Sequence, residues 1–209
     1  MRIKKTICSL FFLMTAGITH ANTITYNGYS LDQETHIITD PHGQEWLQWS
    51  ETTAAGGISV WDVESKYLDR GWKIATTDQM LELLRDFGVN FPKVPYAKSQ
   101  YATFDITEYD NVYYELDLQL IALFGQTPHS IDSTLYKAND IKHSTVYFKE
   151  PSTQYLRYRK IRVLDDLISN TQGVLDSRGY IAILRGSNDY NQYSAYAGVA
   201  LIRQAGLNL

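Results

Sequence analysis

Cysteine is nearly absent from this chain, and the single copy, Cys8, lies within the first 21 residues. Residues 22–209 therefore offer no disulfide, no thiolate nucleophile and no cysteine ligand for a metal ion. A domain without disulfides has to be stabilised by its hydrophobic core, and a chain of this length can bury one. We therefore expect a single globular domain over residues 22–209.

Long apolar runs are also scarce. After residue 21, no stretch approaches the roughly 18 continuous apolar residues that a transmembrane helix needs. Before it, three basic side chains precede an apolar run over residues 7–18, and Ala21 suits a signal peptidase. This pattern predicts a signal peptide over residues 1–21, cleavage near Ala21, and secretion to the periplasm or outside the cell. A retained membrane anchor is the alternative.

Basic residues are outnumbered by acidic ones. The whole chain holds 19 Lys and Arg against 23 Asp and Glu, a net charge of −4. Since Arg2, Lys4 and Lys5 belong to the predicted signal peptide, residues 22–209 hold 16 against 23, a net charge of about −7. This balance argues against nucleic acid and anionic membranes as general partners. The 16 tyrosines suit either β-sheets or a surface that meets a partner.

Local signatures of catalysis are missing. The sequence contains no G-x-S-x-G nucleophile elbow, no G-x-G-x-x-G and no P-loop. Asp165-Asp166, or Asp105 with Glu108, could act as paired carboxylates on a glycosidic bond, but that chemistry requires a set separation that spacing does not show. We predict no catalytic residue, and a carboxylate-dependent glycoside hydrolase is the least favoured alternative.

Histidines provide the strongest candidate for a metal site. His36, Asp40 and His42 lie close in sequence, and imidazole with carboxylate suits Zn²⁺. However, His42 follows a proline in a turn, and no H-E-x-x-H helical pair supports it. We therefore predict surface turn residues, no metal and no cofactor. His129 and His143 are isolated and are expected on the surface.

Turn signals and β-prone runs predict strands at both ends of the domain. Residues 24–49 alternate short β-prone runs with turns at Asn27-Gly28 and Pro41-His42-Gly43, which is typical of a β-meander. Residues 90–107 contain two prolines and are predicted to form a loop, and residues 165–176 are ambiguous. The later strands are predicted over residues 72–75, 144–149, 155–163, 180–185 and 195–202.

Two or three helices are predicted between these strands. Ser59 and Thr76 each stand three residues before an acidic or amide side chain, a spacing suited to helix N-capping. A third helix is expected over residues 111–124, with Gly125 at its end. Because runs of strands and helices are segregated, we predict an α+β fold with an N-terminal β-meander and C-terminal antiparallel strands. The apolar faces comprise Val60, Val63, Tyr67 and Leu68 in the first helix and Met80, Leu83, Leu84 and Phe87 in the second.

Aromatic and basic residues mark two candidate binding segments. The strand "YLRYRKIRV", residues 155–163, places Arg157, Tyr158, Arg159 and Arg162 where they can grip acidic groups and stack on sugar rings. The plainer interpretation is an edge strand whose charges discourage aggregation.

The second segment is a polar loop near the C-terminus, "GSNDYNQYSAY", residues 186–196. Its composition is typical of binding loops, and Asn188, Asp189, Tyr190 and Tyr193 are the candidate contacts. An ordinary hairpin loop would have a similar composition. The four tryptophans, by contrast, fall in the predicted elements and are assigned to the core, with sugar stacking by one of them as the alternative: Trp46, Trp49, Trp61 and Trp72.

Several motifs together resemble a group of exported bacterial proteins, many of which carry a PEP-CTERM sorting tail. The motifs are "DPHGQEWLQWSETT", "SVWDVESKYLDRGWKIATTDQMLELLRDFG", "LIALFG" and "AGVALIR", and they extend over most of residues 22–209. The C-terminal "RQAGLNL" does not match such a tail. The resemblance implies an exported protein and no particular activity.

More distantly, the segment around Gly71-Trp72 resembles the C-type-lectin-like fold and the C-terminal domain of collagen-like bacterial adhesins. In those adhesins Gly-Trp-Arg-Leu-Pro-Thr precedes a helix, whereas Lys73 and Ala75 stand here for the Arg and Pro. The lectin calcium motifs Glu-Pro-Asn and Trp-Asn-Asp and the disulfide cysteines of that fold are absent. The resemblance implies a C-type-lectin-like mixed domain.

The sequence thus favours binding over catalysis. We predict a secreted, non-catalytic binding protein that contacts a glycan or another extracellular polymer through the polar loop and the basic strand. The first alternative is a structural or extracellular-matrix component that self-associates or contacts a protein partner.

Overall fold

The structure, a computed structural model, shows a mixed α+β protein with two main sheets and three helices among the residues described. The predicted α+β class is therefore confirmed. None of the helices in this part of the chain is long and apolar enough to cross a membrane. The description covers residues 22–53, 58–91, 102–107, 116–128, 142–150, 157–169, 175–184, 193–194 and 196–206.

A six-stranded sheet contains the predicted β-meander, which is confirmed. Asn27 and Gly28 both have positive φ, at 50° and 82°, as a two-residue type I′ hairpin turn requires. The C-terminal strand β13 then inserts beside the meander, so the sheet has the order β1-β2-β3-β4-β13-β6. Its strands are β1 (Thr23–Tyr26), β2 (Tyr29–Asp32), β3 (Ile37–Thr39), β4 (Gln44–Leu47), β6 (Lys73–Ile74) and β13 (Leu201–Gln204).

A five-stranded sheet forms the second layer, with the order β12-β8-β9-β10-β7. Its pairings are antiparallel except that of β12 with β8. A separate two-stranded pair joins β5 to β11. The strands are β5 (Ile58–Ser59), β7 (Ala102–Thr107), β8 (Lys142–Glu150), β9 (Arg157–Ser169), β10 (Leu175–Leu184), β11 (Tyr193–Ser194) and β12 (Gly198–Val199).

One prediction about this second sheet is wrong, and one region left ambiguous is now assigned. Residues 102–107, predicted as part of a loop, form a strand because all of them pair with β10. The ambiguous region after residue 165 holds the long antiparallel pairing of β9 with β10, which extends to Ser169 and Leu175. Acidic residues such as Asp165 and Asp166 are disfavoured in strands, but pairing on both sides outweighs that local preference.

The first two helices begin where the sequence predicts them to begin. Ser59 Oγ accepts the backbone N–H of Asp62 at 3.1 Å, and the Asp62 carboxylate accepts the N–H of Ser59 at 3.4 Å, which completes a capping box. Thr76 and Gln79 form the second capping box. Residues 111–115 of the third predicted helix lie outside the described residues. The helices are α1 (Val60–Leu68), α2 (Thr77–Asp86) and α3 (Leu116–Phe124).

Aromatic rings form the centre of the larger core cluster. Phe124 of α3 stacks on Trp49 with ring centroids 4.5 Å apart and meets Trp46 edge-on at 6.0 Å. Tyr29 lies 6.3 Å from the same ring. The predicted face of α2 is buried against this cluster. The core therefore lies between the six-stranded sheet, the helices α2 and α3, and the second sheet.

The assignment of all tryptophans to the core is wrong for Trp61. Its side chain is 58% exposed, and Leu68, expected on the buried face, is 56% exposed. Val60, Val63 and Tyr67 are the residues of α1 that face the core. Because each step along a helix turns by about 100°, the positions directly after Val60 and Tyr67 rotate away from the core. Trp46, Trp49 and Trp72 are buried as predicted.

Parts of three of the motifs that carry the resemblance meet in the six-stranded sheet. Arg203 of β13 donates from Nε to the Glu45 carboxylate of β4 at 2.6 Å. Its guanidinium lies over the Trp72 ring, 4.4 Å from the centroid. These contacts join the "QEWL", "GWK" and "ALIR" segments across neighbouring strands, so the three motifs have a structural role.

Candidate binding surface

The predicted basic segment lies in the interior of the second sheet. β9 pairs with β8 on one side and β10 on the other, so the edge-strand interpretation is wrong. Tyr158 and Arg159 are 4% and 3% exposed, and Arg162 is half-buried. The side chain of Arg157 lies outside the described residues. Ligand contact through these four residues stays a prediction.

The charged side chains Arg159 and Lys160 of this strand make contacts inside the sheet. Arg159 donates from Nη2 to the Glu150 carboxylate of β8 at 2.6 Å, and both side chains are largely buried. Lys160 lies over the Tyr147 ring at 5.8 Å. Burial lowers the pKa of Lys160, and the neighbouring Arg162 charge lowers it further. The pairing of β8 with β9 thus gives internal partners to Arg159, a predicted ligand contact, and to the neighbouring Lys160.

The polar loop is described only at its end. Asn188, Asp189 and Tyr190 lie outside the described residues, and the side chain of Tyr193 does too. The backbone of β11 pairs with β5, with Tyr193 opposite Ser59. Since Ser59 is the N-cap of α1, the end of the polar loop lies beside the start of that helix.

Trp61 is an exposed aromatic residue near the start of α1. It stands two positions after Ser59 and is 58% exposed, on a helix whose first turn is held by a capping box. Tyr196, two positions after β11, is 46% exposed, and its carbonyl accepts the Thr127 hydroxyl at 3.1 Å. We call Trp61 and the neighbouring pair of β5 with β11 the Trp61 surface. Because Val60 faces the core and successive residues of a helix are about 100° apart, Trp61 points away from the core. The assignment of Trp61 to the core did not use this signal.

The three residues of the predicted metal candidate have separate partners. The His36 ring Nδ1 meets the Glu51 carboxylate at 2.5 Å. Asp40 is buried, and its carboxylate accepts the Trp46 indole N–H at 2.9 Å as well as two backbone N–H groups of its own turn. Among the residues that the structure describes, no group of three His, Cys, Asp or Glu side chains could hold a metal ion.

His42 connects the β3–β4 turn to the end of α2. Its ring Nε2 lies 3.2 Å from the Asp86 carboxylate and 3.8 Å from that of Glu82. The same Asp86 oxygen accepts the Tyr29 hydroxyl at 2.8 Å. Burial, with Asp86 as the second cause, raises the pKa of Tyr29 well above its ordinary range, so the phenol remains a donor.

A pH-dependent stability follows from the His42 contact. The hydrogen bond to Asp86, supported by the charges of Asp86 and Glu82, raises the pKa of His42 above its ordinary value in the folded state. The charged imidazole therefore stabilises the fold below an unfolded pKa of about 6.5, and this contribution is lost as pH rises through the higher folded pKa. We expect His42→Gln to lower the melting temperature more at pH 5.5 than at pH 9. An equal decrease at both values in a thermal melt would contradict this linkage.

His143 is buried, contrary to the predicted surface position. It is 3% exposed on β8, with Nε2 meeting the Thr145 hydroxyl at 2.5 Å and Nδ1 3.4 Å from that of Thr127. The prediction was wrong because the sequence around His143 does not show which side chains surround it. In the fold, the hydroxyl groups of Thr127 and Thr145 are partners for the buried ring. His129 lies outside the described residues.

The two acidic pairs considered for glycoside hydrolysis lie on the second sheet as far as they are described. Asp165 and Asp166 are successive residues of β9, and Asp105 belongs to β7. Glu108 lies outside the described residues.

The fold and these surfaces were also compared with known proteins. Neither the protein-family models nor the curated proteins nor the solved structures give a match to this chain. The function has to be inferred from the geometry of the chain itself.

Proposed function

We propose that this protein is a secreted, non-catalytic binding protein that contacts a glycan or another extracellular polymer through the Trp61 surface. The observation that carries the proposal is the exposure of the Trp61 indole beside the end of the polar loop. An exposed aromatic ring on a rigid helix can stack on the apolar face of a sugar with little loss of side-chain freedom. Further support comes from the signal-peptide pattern at the N-terminus.

The finer fold assignment belongs to the same proposal. We assign a C-type-lectin-like domain and a relationship to the exported PEP-CTERM-associated group, on the motifs around Gly71-Trp72 and Arg203. The support is that these motifs lie together in one sheet, in which the C-terminal strand β13 pairs with β4 of the meander and with β6.

Self-association is the second candidate, and Leu68 is the observation that favours it. Leu68 lies two helical turns after Trp61 on α1, so both exposed apolar side chains share one helix face. Such a face can pack against a second copy or another protein. The two candidate functions differ in the role of Leu68: self-association requires its side chain, whereas stacking of Trp61 on a sugar does not.

Replacing Trp61 is the test of the proposed function. In a glycan-array screen repeated with and without EDTA, we expect the purified protein to bind at least one glycan class and Trp61→Ala to weaken that binding about tenfold or more. The melting temperature should change little because the side chain is mostly exposed. Absence of glycan binding by the folded, monodisperse protein would refute the proposal.

The matched control is Leu68→Ala, the other exposed apolar residue on the same helix. If the surface reads a glycan by stacking, this variant keeps its glycan binding. If the face joins copies of the chain, both variants reduce a concentration-dependent increase of mass in size-exclusion chromatography with light scattering.

A further inference from the structure

A second candidate site lies apart from the Trp61 surface, in a cleft of about 510 Å³ beside α3. Three parts of the fold contribute to it: the end of β1, the outer side of α3 with the residues just after it, and the first residue of β8. The volume lies within the range of small-molecule binding clefts. The residues that matter for its chemistry are Tyr26, Leu118, Gln119, Ile121, Gln126 and Lys142.

Backbone contacts hold the walls of the cleft in place. Gly125 ends α3 with a φ of 83°, and its N–H donates to the carbonyl of Ile121 at 2.8 Å. The Thr127 N–H donates to the carbonyl of His143 at 3.0 Å. Gln126 therefore lies between two fixed residues, and the start of β8 is joined to the segment after α3. These hydrogen bonds fix the backbone of Gln126 and of the start of β8 relative to α3.

The lining combines an apolar floor with a few polar groups. Leu118 and Ile121 provide apolar surface, and the half-buried Tyr26 adds an aromatic ring. The carboxamides of Gln119 and Gln126 each carry donors and an acceptor, as hydroxyl groups on neighbouring carbons of a sugar require. This mixture suits a ligand with one apolar face and several hydroxyls.

Lys142 adds a preference for negative charge. It is the only charged residue among the described residues of the lining, in a protein whose net charge is −4. A single ammonium beside two neutral amides matches one carboxylate among hydroxyls.

We propose that this cleft binds a carboxylated sugar, a uronic acid residue, with its carboxylate at Lys142 and its hydroxyls at Gln119 and Gln126. The apolar face of the sugar ring lies on Tyr26 and Leu118. This inference goes beyond the proposed function, because it concerns a second site and holds whether or not a polymer binds the Trp61 surface.

Glucuronic acid and glucose form a matched pair of probes, since they share the pyranose ring and differ in a carboxylate against a hydroxymethyl group at C6. In a titration of the ¹⁵N-labelled protein followed by NMR, we expect glucuronate to bind more tightly than glucose and to shift the side-chain amide signals of Gln119 and Gln126. Lys142→Gln should weaken glucuronate binding about tenfold and leave glucose binding unchanged.

Two further variants separate the site from general effects. Lys73→Gln removes an exposed charge from β6, at the opposite edge of the six-stranded sheet from β1, and should have no effect on either sugar. Ala122→Phe introduces a ring at an exposed position of α3 that lines the cleft. It should weaken the binding of both glucuronate and glucose. Circular dichroism melts check that each variant is folded.

The outcomes are distinguishable from those of the glycan-array test. Glucuronate binding that survives Trp61→Ala and falls in Lys142→Gln supports a separate acidic-sugar site. Binding lost in Trp61→Ala would place the ligand on the Trp61 surface and overturn the inference. The inference is equally overturned if neither sugar binds, if glucose binds as well as glucuronate, or if Lys73→Gln has the same effect as Lys142→Gln.

Discussion

Replacing Phe124 with alanine is expected to lower the free energy of unfolding by about 3–5 kcal/mol. The Phe124 ring is completely buried and contacts three other aromatic rings, those of Trp49, Trp46 and Tyr29. Removing it takes away apolar contacts on several sides at once and leaves a cavity that the large rings around it cannot fill by small shifts. Such a loss is a large fraction of the stability of an ordinary domain.

Urea denaturation followed by tryptophan fluorescence measures this effect. Leu81→Ala is the control, because Leu81 is only partly buried at the margin of the same cluster, on α2. Leu81→Ala should lower the free energy of unfolding by clearly less than Phe124→Ala does. Equal losses in the two variants would show that the aromatic cluster does not dominate this core.

Gly198→Ala is the second substitution with a large expected effect. We expect it to lower the free energy of unfolding by about 3 kcal/mol. A β-carbon at this position would lie 2.6 Å from the Thr52 hydroxyl oxygen and closer still to the carbonyl oxygen of Trp49. The Thr52 hydroxyl accepts the N–H of Val199 at 2.7 Å and can donate to the carbonyls of Val199 and Trp49. Because a backbone carbonyl cannot move aside as a flexible side chain can, the alanine has to displace β12 and disturb these buried hydrogen bonds.

Gly206→Ala serves as the comparison for this prediction. Gly206 has a φ of 80°, but nothing lies within 4 Å of its β-carbon position. Its substitution therefore reports backbone strain alone, about 1–2 kcal/mol. If thermal melts show that Gly198→Ala costs no more than Gly206→Ala, the close approach of β12 to the Trp49–Thr52 segment is not a determinant of stability.

Local sequence signals were sufficient where structure depends on neighbours along the chain. Ser59 with Asp62 and Thr76 with Gln79 predicted both helix starts, because a capping box is complete within four residues. Asn27-Gly28 predicted a hairpin for the same reason, since both residues accept positive φ. The apolar face of α2 also followed from spacing alone.

The candidate site was predictable only in part. The polar loop was a predicted binding segment, whereas Trp61 was assigned to the core, and only the β5–β11 pairing places the end of that loop beside the start of α1. The cleft beside α3 was not predicted, because Tyr26, Gln119 and Lys142 come from distant parts of the chain and share no motif. The edge-strand interpretation of residues 155–163 was wrong because alternation reveals the two faces of a strand without showing which strands pair with it.

By itself, the sequence determined the α+β class, the meander, the helix starts and the absence of cysteine after residue 21, all of which depend on composition or on contacts within a few residues. Tertiary structure alone decided that β9 is interior, that His143 is buried and that Trp61 is exposed. These outcomes depend on which strands pair and which faces pack, as in the insertion of β13 between β4 and β6. Pairing across long sequence separations is set by the burial of the whole core, a collective quantity that no local pattern encodes.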